Sequence, residues 1–154
     1  MMSMEMDVNA SALTYEDLLL LPDDGQRHEM IGGEHYGTPS PGTVHQRFLR
    51  RLSSVLDIFV TGHRLGEILF APFDVLLSSA DVVEPDLLFV GNRRRSRLTD
   101  KNIEGAPDLV VDVISESTRR IDKKIKLRLY ESSDVVECRL ADPVIQTIEA
   151  YGRN

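Results

Sequence analysis

Two uninterrupted apolar runs constrain this chain more than any other feature. One is Leu87-Leu88-Phe89-Val90. The other is Leu109-Val110-Val111, continued beyond Asp112 by Val113-Ile114. A strand with one wet face alternates apolar and polar residues, so runs without alternation fit central strands covered on both faces. The rest of the chain supplies the covering helices. Thr14 can cap a short helix over residues 15–21, ended by Pro22 and Gly25. Val44, Phe48, Leu52, Val55, Leu56 and Phe59 recur at helical spacing, ending near Gly62. Ser117 or Thr118 can cap a third helix over about 119–132. Residues 27–36 read as a strand with Gly32-Gly33 as a hairpin turn, and Thr38 to Gly42 as a loop. Residues 66–70 and 73–77 read as strands joined by a hairpin or a bend at Ala71-Pro72. Residues 135–141 and 145–151 close the chain as strands around Asp142-Pro143, and 91–107 read as a basic, polar connection. The order implies an α/β fold, a mixed sheet with helices packed on it.

With 154 residues the chain makes one domain, expected over 13–154, preceded by a disordered or loosely attached arm over 1–12. Its 42% apolar and 28% charged residues are those of an ordinary globular protein. No apolar run approaches the roughly 20 residues that cross a bilayer. The first 12 residues carry acids and no Lys or Arg, unlike a secretory signal, and Cys138 is the only cysteine. A cytoplasmic setting is therefore expected. The net charge of −7 argues against a nucleic-acid binder when taken whole. Taken by segment it is −9 over residues 1–90, +5 over 91–130 and −3 over 131–154. Positive charge gathers at residues 93–97 and 119–128, where a polyanion could be held; a solvated loop and the outer face of a helix is the plainer reading.

Asp112 is the residue that carries chemistry. Alternation sets Leu109, Val111 and Val113 on one face, and Val110, Asp112 and Ile114 on the other. A carboxylate buried on a central strand needs a cation or several donors. A salt bridge to a lysine of the next helix and a metal ligand answer that need equally well. Asp86, after Pro85 at the head of the first run, shifts the balance, although Pro-Asp before a strand is by itself a turn. If the two strands are neighbours, Asp86 and Asp112 can converge on one hard cation. Mg²⁺ takes one or two carboxylates plus waters and phosphate oxygens, and the Val113 carbonyl can add an oxygen. On the following helix Asp122, Lys126 and Tyr130 form one stripe, beside an Ile121, Ile125 and Leu129 stripe expected to face the core. From the edge of that face Lys126 can reach inward; a surface pair with Asp122 is the plainer reading, and Lys123 and Lys124 are expected in solvent. Two acids and a lysine suit metal-assisted phosphodiester cleavage, in which the metal acidifies a water and the lysine orients it or offsets developing charge. No zinc spacing links His28, His35, His45 and His63; His45, near a helix start, is the one kept as a site candidate. Nucleophile-elbow, P-loop and dinucleotide fingerprints are absent, and Cys138 reads as a small core residue.

Several short motifs are familiar together: Leu13-Thr14-Tyr15-Glu16-Asp17, Glu29-Met30-Ile31-Gly32-Gly33-Glu34, His45-Gln46-Arg47, Ala71-Pro72-Phe73-Asp74-Val75, Val83-Glu84-Pro85-Asp86, Gly105-Ala106-Pro107-Asp108, Ser115-Glu116-Ser117-Thr118, and residues 122–130. From Leu13 to about Tyr151 the chain resembles the Uma-two family, whose fold belongs to the PD-(D/E)xK restriction-endonuclease-like superfamily. The resemblance implies a restriction-endonuclease-like mixed central sheet flanked by helices. It also implies a nuclease site made of Asp86, Asp112 and Lys126, with Glu29 as an outer ligand or a group orienting a metal-bound water. The family's lysine stands on the helix after the strand, in keeping with Ile114 two residues beyond Asp112. The chain departs from the family at Asp112, where Glu is usual, at Gly32 (Asp), Glu116 (Pro), and Cys138-Arg139 (an aromatic pair).

The expected function is a Mg²⁺-dependent DNA endonuclease, with Mn²⁺ as a substitute. Residues 93–97 and 119–128 would contact backbone phosphates. Cutting both strands of a duplex requires two sites, which suits a homodimer. The rival is a nucleic-acid-binding or assembly module that keeps the fold without the activity, since fold does not fix function. A small-molecule hydrolase would need a deep apolar pocket.

Overall fold

The computed structural model describes residues 12–152. All of the expected N-terminal arm except Ala12 lies outside the described residues. Short-range chemistry sets the first elements. Helix α1 (Tyr15–Leu19) starts at Thr14, whose hydroxyl accepts the Asp17 N–H while the Asp17 carboxylate accepts the Thr14 N–H. Strands β1 (Arg27–Ile31) and β2 (Glu34–Thr38) form a hairpin around Gly32-Gly33. Both glycines have positive φ, 60° and 76°, as a tight two-residue turn matched to strand twist requires.

The 20-residue helix α2 (Thr43–Gly62) packs on β3 (Gly66–Phe70), yet Val60 is its only fully buried residue. β3 then gives way at Ala71-Pro72 to β4 (Asp74–Ser78). That junction is the bend rather than the hairpin, because β3 and β4 belong to different sheets. One five-stranded sheet has the order β2-β1-β5-β4-β7, with β5 (Asp81–Val83) and β7 (Asn102–Glu104). The other has the order β10-β9-β8-β6-β3, with β6 (Leu87–Gly91), β8 (Leu109–Val113), β9 (Glu137–Asp142) and β10 (Thr147–Gly152). Each sheet is mixed, through the parallel pairs β4–β7 and β8–β9. The α/β class and mixed pairing agree with the sequence pattern. The segment 91–107 is not a plain connection: it holds a 3₁₀ turn (Asn92–Arg97) and β7.

The two apolar runs are β6 and β8, antiparallel neighbours in the second sheet, with Leu87 opposite Val111 and Leu88 opposite Val110. Their side chains meet those of the first sheet in one core. Val75, Val83 and Ile103 come from the first sheet, and Leu88, Val90, Val110 and Leu140 from the second. Five crossings carry the chain between the sheets around this core; residues 84–86, between β5 and β6, form the one that matters for the site. The third helix begins with a π-wound stretch (Ile121–Lys126), in which the Leu127 N–H reaches back to the Asp122 carbonyl, and continues as α3 (Leu127–Ser132). Neither Ser117 nor Thr118 caps it through its side chain. Thr118 Oγ1 instead accepts the Ser115 N–H. No helix among the described residues is long and apolar enough to cross a membrane.

The core assignment is checked by truncation. Leu88→Ala removes a side chain with no solvent exposure and should cost about 2–5 kcal/mol in urea unfolding. Ile58→Ala, at a position 74% exposed, should change stability by less than about 0.5 kcal/mol.

Candidate active site

The antiparallel register of β6 and β8, continued one step, sets Asp86 opposite Asp112. The Asp86 N–H lies 3.3 Å from Asp112 Oδ1, and Asp86 Oδ2 accepts the Val113 N–H at 2.7 Å. Both carboxylates are buried, Asp112 to 1% exposure. Glu29 comes to the same place from β1 in the other sheet. Its Oε1 accepts the Glu84 N–H at 2.8 Å and the Lys126 ammonium at 2.9 Å. Lys126 Nζ also lies 3.1 Å from Asp112 Oδ2 and 3.9 Å from Asp122 Oδ1. Tyr130 donates its hydroxyl to Asp112 Oδ2 at 3.2 Å. The structure thus brings together all four expected side chains, Glu29, Asp86, Asp112 and Lys126. Val113 adjoins them and lines a small cavity of about 160 Å³ with Arg27 and His45.

The helix buries the stripe beside the one expected. Asp122, Lys126 and Tyr130 are buried, while Ile121, Ile125 and Leu129 are only half-buried. Apolar periodicity points a helix at an apolar core. Here the surface beneath the helix carries two carboxylates, and they draw in the stripe that can neutralise them.

Two further residues complete the cluster. Arg27 Nη1 lies 2.6 Å from Asp86 Oδ1 and 3.1 Å from the Glu84 carbonyl. His45 Nε2 lies 3.1 Å from the same Asp86 oxygen without the alignment of a hydrogen bond. Arg27 Nε and both ring nitrogens of His45 are buried without a hydrogen-bond partner. Strand alternation is the signal for Arg27, two residues before Glu29 and so on the same face. Both side chains line a cavity of about 500 Å³ that has Asp86 on its wall.

Proton affinities are divided between the two aspartates. Burial pushes Asp86 up, but His45 and the Arg27 guanidinium outweigh it and hold the carboxyl below the usual range. Burial dominates at Asp112 and raises it, against the pull of Lys126. At Lys126 burial is overcome by Asp112 and Glu29, which hold the ammonium well above its ordinary value. Asp122 is raised to about 7, by burial and then by Asp112. The donor set suits a hard divalent cation: every donor is oxygen, and three formal charges on Glu29, Asp86 and Asp112 face two on Arg27 and Lys126. Among the described residues no three His, Cys, Asp or Glu side chains form a metal cage. An ion here would rest on one or two carboxylates, the backbone, water and substrate, which is the habit of Mg²⁺.

Four of the expected phosphate contacts are spent elsewhere. Arg94 and Arg97 bind the carbonyls of Ala106, Pro107 and Asp134 and the carboxylates of Asp108 and Asp134. Arg119 pairs with Asp142 at 2.6 Å and Lys123 with Glu149 at 3.2 Å. Such partners cannot be read from composition, because they depend on which loops fold together.

Two measurements test this cluster. Lys126→Met should cost about 3–5 kcal/mol, because Glu29 and Asp112 are left buried without their cation. Asp122, with a folded pKa near 7 against 3.8 for the free side chain, holds a proton that the unfolded chain releases. Stability from this group therefore falls as pH rises from about 4 to 7. Asp122→Asn should raise the melting temperature at pH 8, with the advantage vanishing towards pH 4.

The model of the Uma2 family, described as "Putative restriction endonuclease", matches residues 15–154. Among solved structures, one described as "a putative nuclease belonging to DUF820", from Anabaena variabilis, is similar with a TM-score of 0.74. It is 23% identical, and the match covers 91% of this chain and 79% of that one. At that identity the likeness is one of fold. No curated protein matches the chain.

Proposed function

Because the chain belongs to the Uma2 family, we propose that it is a metal-dependent nuclease that hydrolyses phosphodiester bonds in DNA. The observation that carries this reading is the meeting of Glu29, Asp86, Asp112 and Lys126, from four separate segments, beside a cavity. A buried ionic cluster is a poor device for stability, since well-packed apolar residues would serve as well or better. Its presence beside a cavity, with proton affinities pushed apart, favours a chemical role.

Asp86, Asp112 and the Val113 carbonyl would hold Mg²⁺, with Mn²⁺ as a substitute. Such an ion, when bound, acidifies a water and offsets charge on the phosphate. Asp86 stays ionised through Arg27 and His45. Lys126 bridges Asp112 and Glu29, so it fixes both carboxylates around one point and offers positive charge to the pentavalent phosphate. Glu29, anchored by the Glu84 N–H, orients the attacking water. Arg27 and His45 stand on the cavity side of Asp86, where a phosphate oxygen approaches. Cutting both strands of a duplex calls for two such sites, hence a two-fold homodimer. The single buried cysteine suits a cytoplasmic setting.

A second reading, a binding or assembly module without activity, draws on one observation. Both oxygens of Asp112 already have donors, namely Lys126, Tyr130 and the Asp86 N–H. Supercoiled plasmid separates the two. The nuclease nicks it with Mg²⁺ or Mn²⁺ and not with EDTA, and Asp86→Asn and Asp112→Asn each lower the rate by about a hundredfold or more. In a thermal melt Mg²⁺ should stabilise the wild type and not Asp112→Asn. No nicking and no metal response would leave the module.

A further inference from the structure

The cavity beside Asp86 has two unlike walls. One is apolar and includes Leu49, Pro72 and Phe70. Phe70 ends β3, opposite Leu87, and is therefore next to the Asp86 strand entry. Its side chain is 60% exposed, and it has no ring partner among the described residues. The other wall is polar, with Arg27, Gln46 and Arg50. Asp23 and Asp86 are the two carboxylates on the lining. Arg50 belongs to a set on α2: Arg47, Arg50 and Arg51, at i, i+3 and i+4, share one face. All three are exposed, and among the described residues none takes part in an ion pair. The first acid on α2 is Asp57, so the half of the helix nearest the site is purely basic. Of these only Arg50 lines the cavity beside Asp86, Arg47 and Arg51 facing a separate cavity with Asp142 and Thr147; among the described residues Arg50 is thus an unpaired cation at the candidate site, in contrast to the committed Arg94, Arg97, Arg119 and Lys123.

We infer that this cavity seats one unpaired nucleotide, its base against Phe70 and its backbone against Arg50, so that the protein engages single-stranded DNA in preference to duplex. This rests on the nuclease reading above. Three features favour it. The cavity, about 500 Å³, falls in the size range of small-ligand sites. The Asp86 side chain is only 3% exposed, so a ligand meets it by entering the cavity, and a base can enter only when it is unstacked and unpaired. An exposed aromatic face on the same cavity as an arginine with no ion pair among the described residues matches the pairing of base and phosphate in a nucleotide.

Fluorescence anisotropy in EDTA, with labelled oligo-dT and a labelled duplex of equal length, tests this. The wild type should bind oligo-dT about tenfold or more tightly over the duplex. Phe70→Ala should remove most of that preference and leave duplex affinity unchanged, and Phe70→Trp should restore it. Arg50→Ala should weaken both ligands and flatten the salt dependence of binding. Equal or tighter duplex binding, or a preference that survives Phe70→Ala, would overturn the inference. So would conversion of a dimer to a monomer by Phe70→Ala in sedimentation, since the ring would then belong to a subunit contact. If the wild type nicks plasmid with Mg²⁺ yet shows no strand preference, this inference alone falls. If it neither binds DNA nor nicks plasmid, the nuclease reading falls with it.

Discussion

The ammonium of Lys126 holds the molecule's two sheets to one another. Glu29 belongs to the first sheet, Asp112 to the second, and Lys126 to the helix that lies against both. Its nitrogen is within 3.1 Å of a carboxylate oxygen from each. None of the three charges is tolerable at that depth alone, so each fixes the positions of the others. The second ion pair works across the same seam, with Arg27 on β1 and Asp86 at the crossing between β5 and β6. The apolar core also draws on both sheets but is not directional. The ion pairs supply what it lacks, a fixed geometry at the joint.

A joint of this kind explains the division between the aspartates. Asp86 faces the cavity side of the seam, where Arg27 and His45 favour its ionised form. Asp112 faces inward, where burial outweighs Lys126 and favours its neutral form. Two carboxylates of the same residue type, one on β8 and one just before β6, are thereby set to different proton affinities by position alone. The π-wound turn contributes, since it places Asp122 and Lys126 together at the seam, followed by Tyr130 one turn on.

Much of this was legible in the sequence, for reasons that differ by residue. The unbroken runs at 87–90 and 109–114 mark central strands because no other environment hides them. Asp112 and Asp86 stand out because a polar group there is costly, and cost is what sequence reading detects. The turn at Gly32-Gly33 follows from local backbone chemistry. Arg27 was equally within reach by alternation from Glu29. The rest depends on tertiary partners. β5 and β7, of three residues each, are too short for any period and exist through their neighbours. The buried face of the third helix is chosen by the carboxylates beneath it rather than by its isoleucines. Arg94 and Arg97 look like part of a phosphate-binding run until the carbonyls of Ala106, Pro107 and Asp134 are seen to occupy them.

The departures from the family pattern can be weighed by where they fall. Gly32 lies in the β1–β2 turn at φ 60°, where its N–H binds the Asp81 carboxylate; glycine adopts that conformation without strain. Glu116 is exposed in the turn before the third helix. Cys138 is buried in the common core, and Arg139 is exposed and paired with Glu137. Among the described residues none of these four makes a hydrogen bond or ion pair with Glu29, Asp86 or Asp112. Asp112 does differ at the centre itself, by one methylene. The shorter side chain is nonetheless reached by Lys126, Tyr130 and the Asp86 N–H, because the helix lies close enough for two of its side chains to meet it. What the substitution changes is the reach of a carboxylate; its charge is kept, and three donors still meet it.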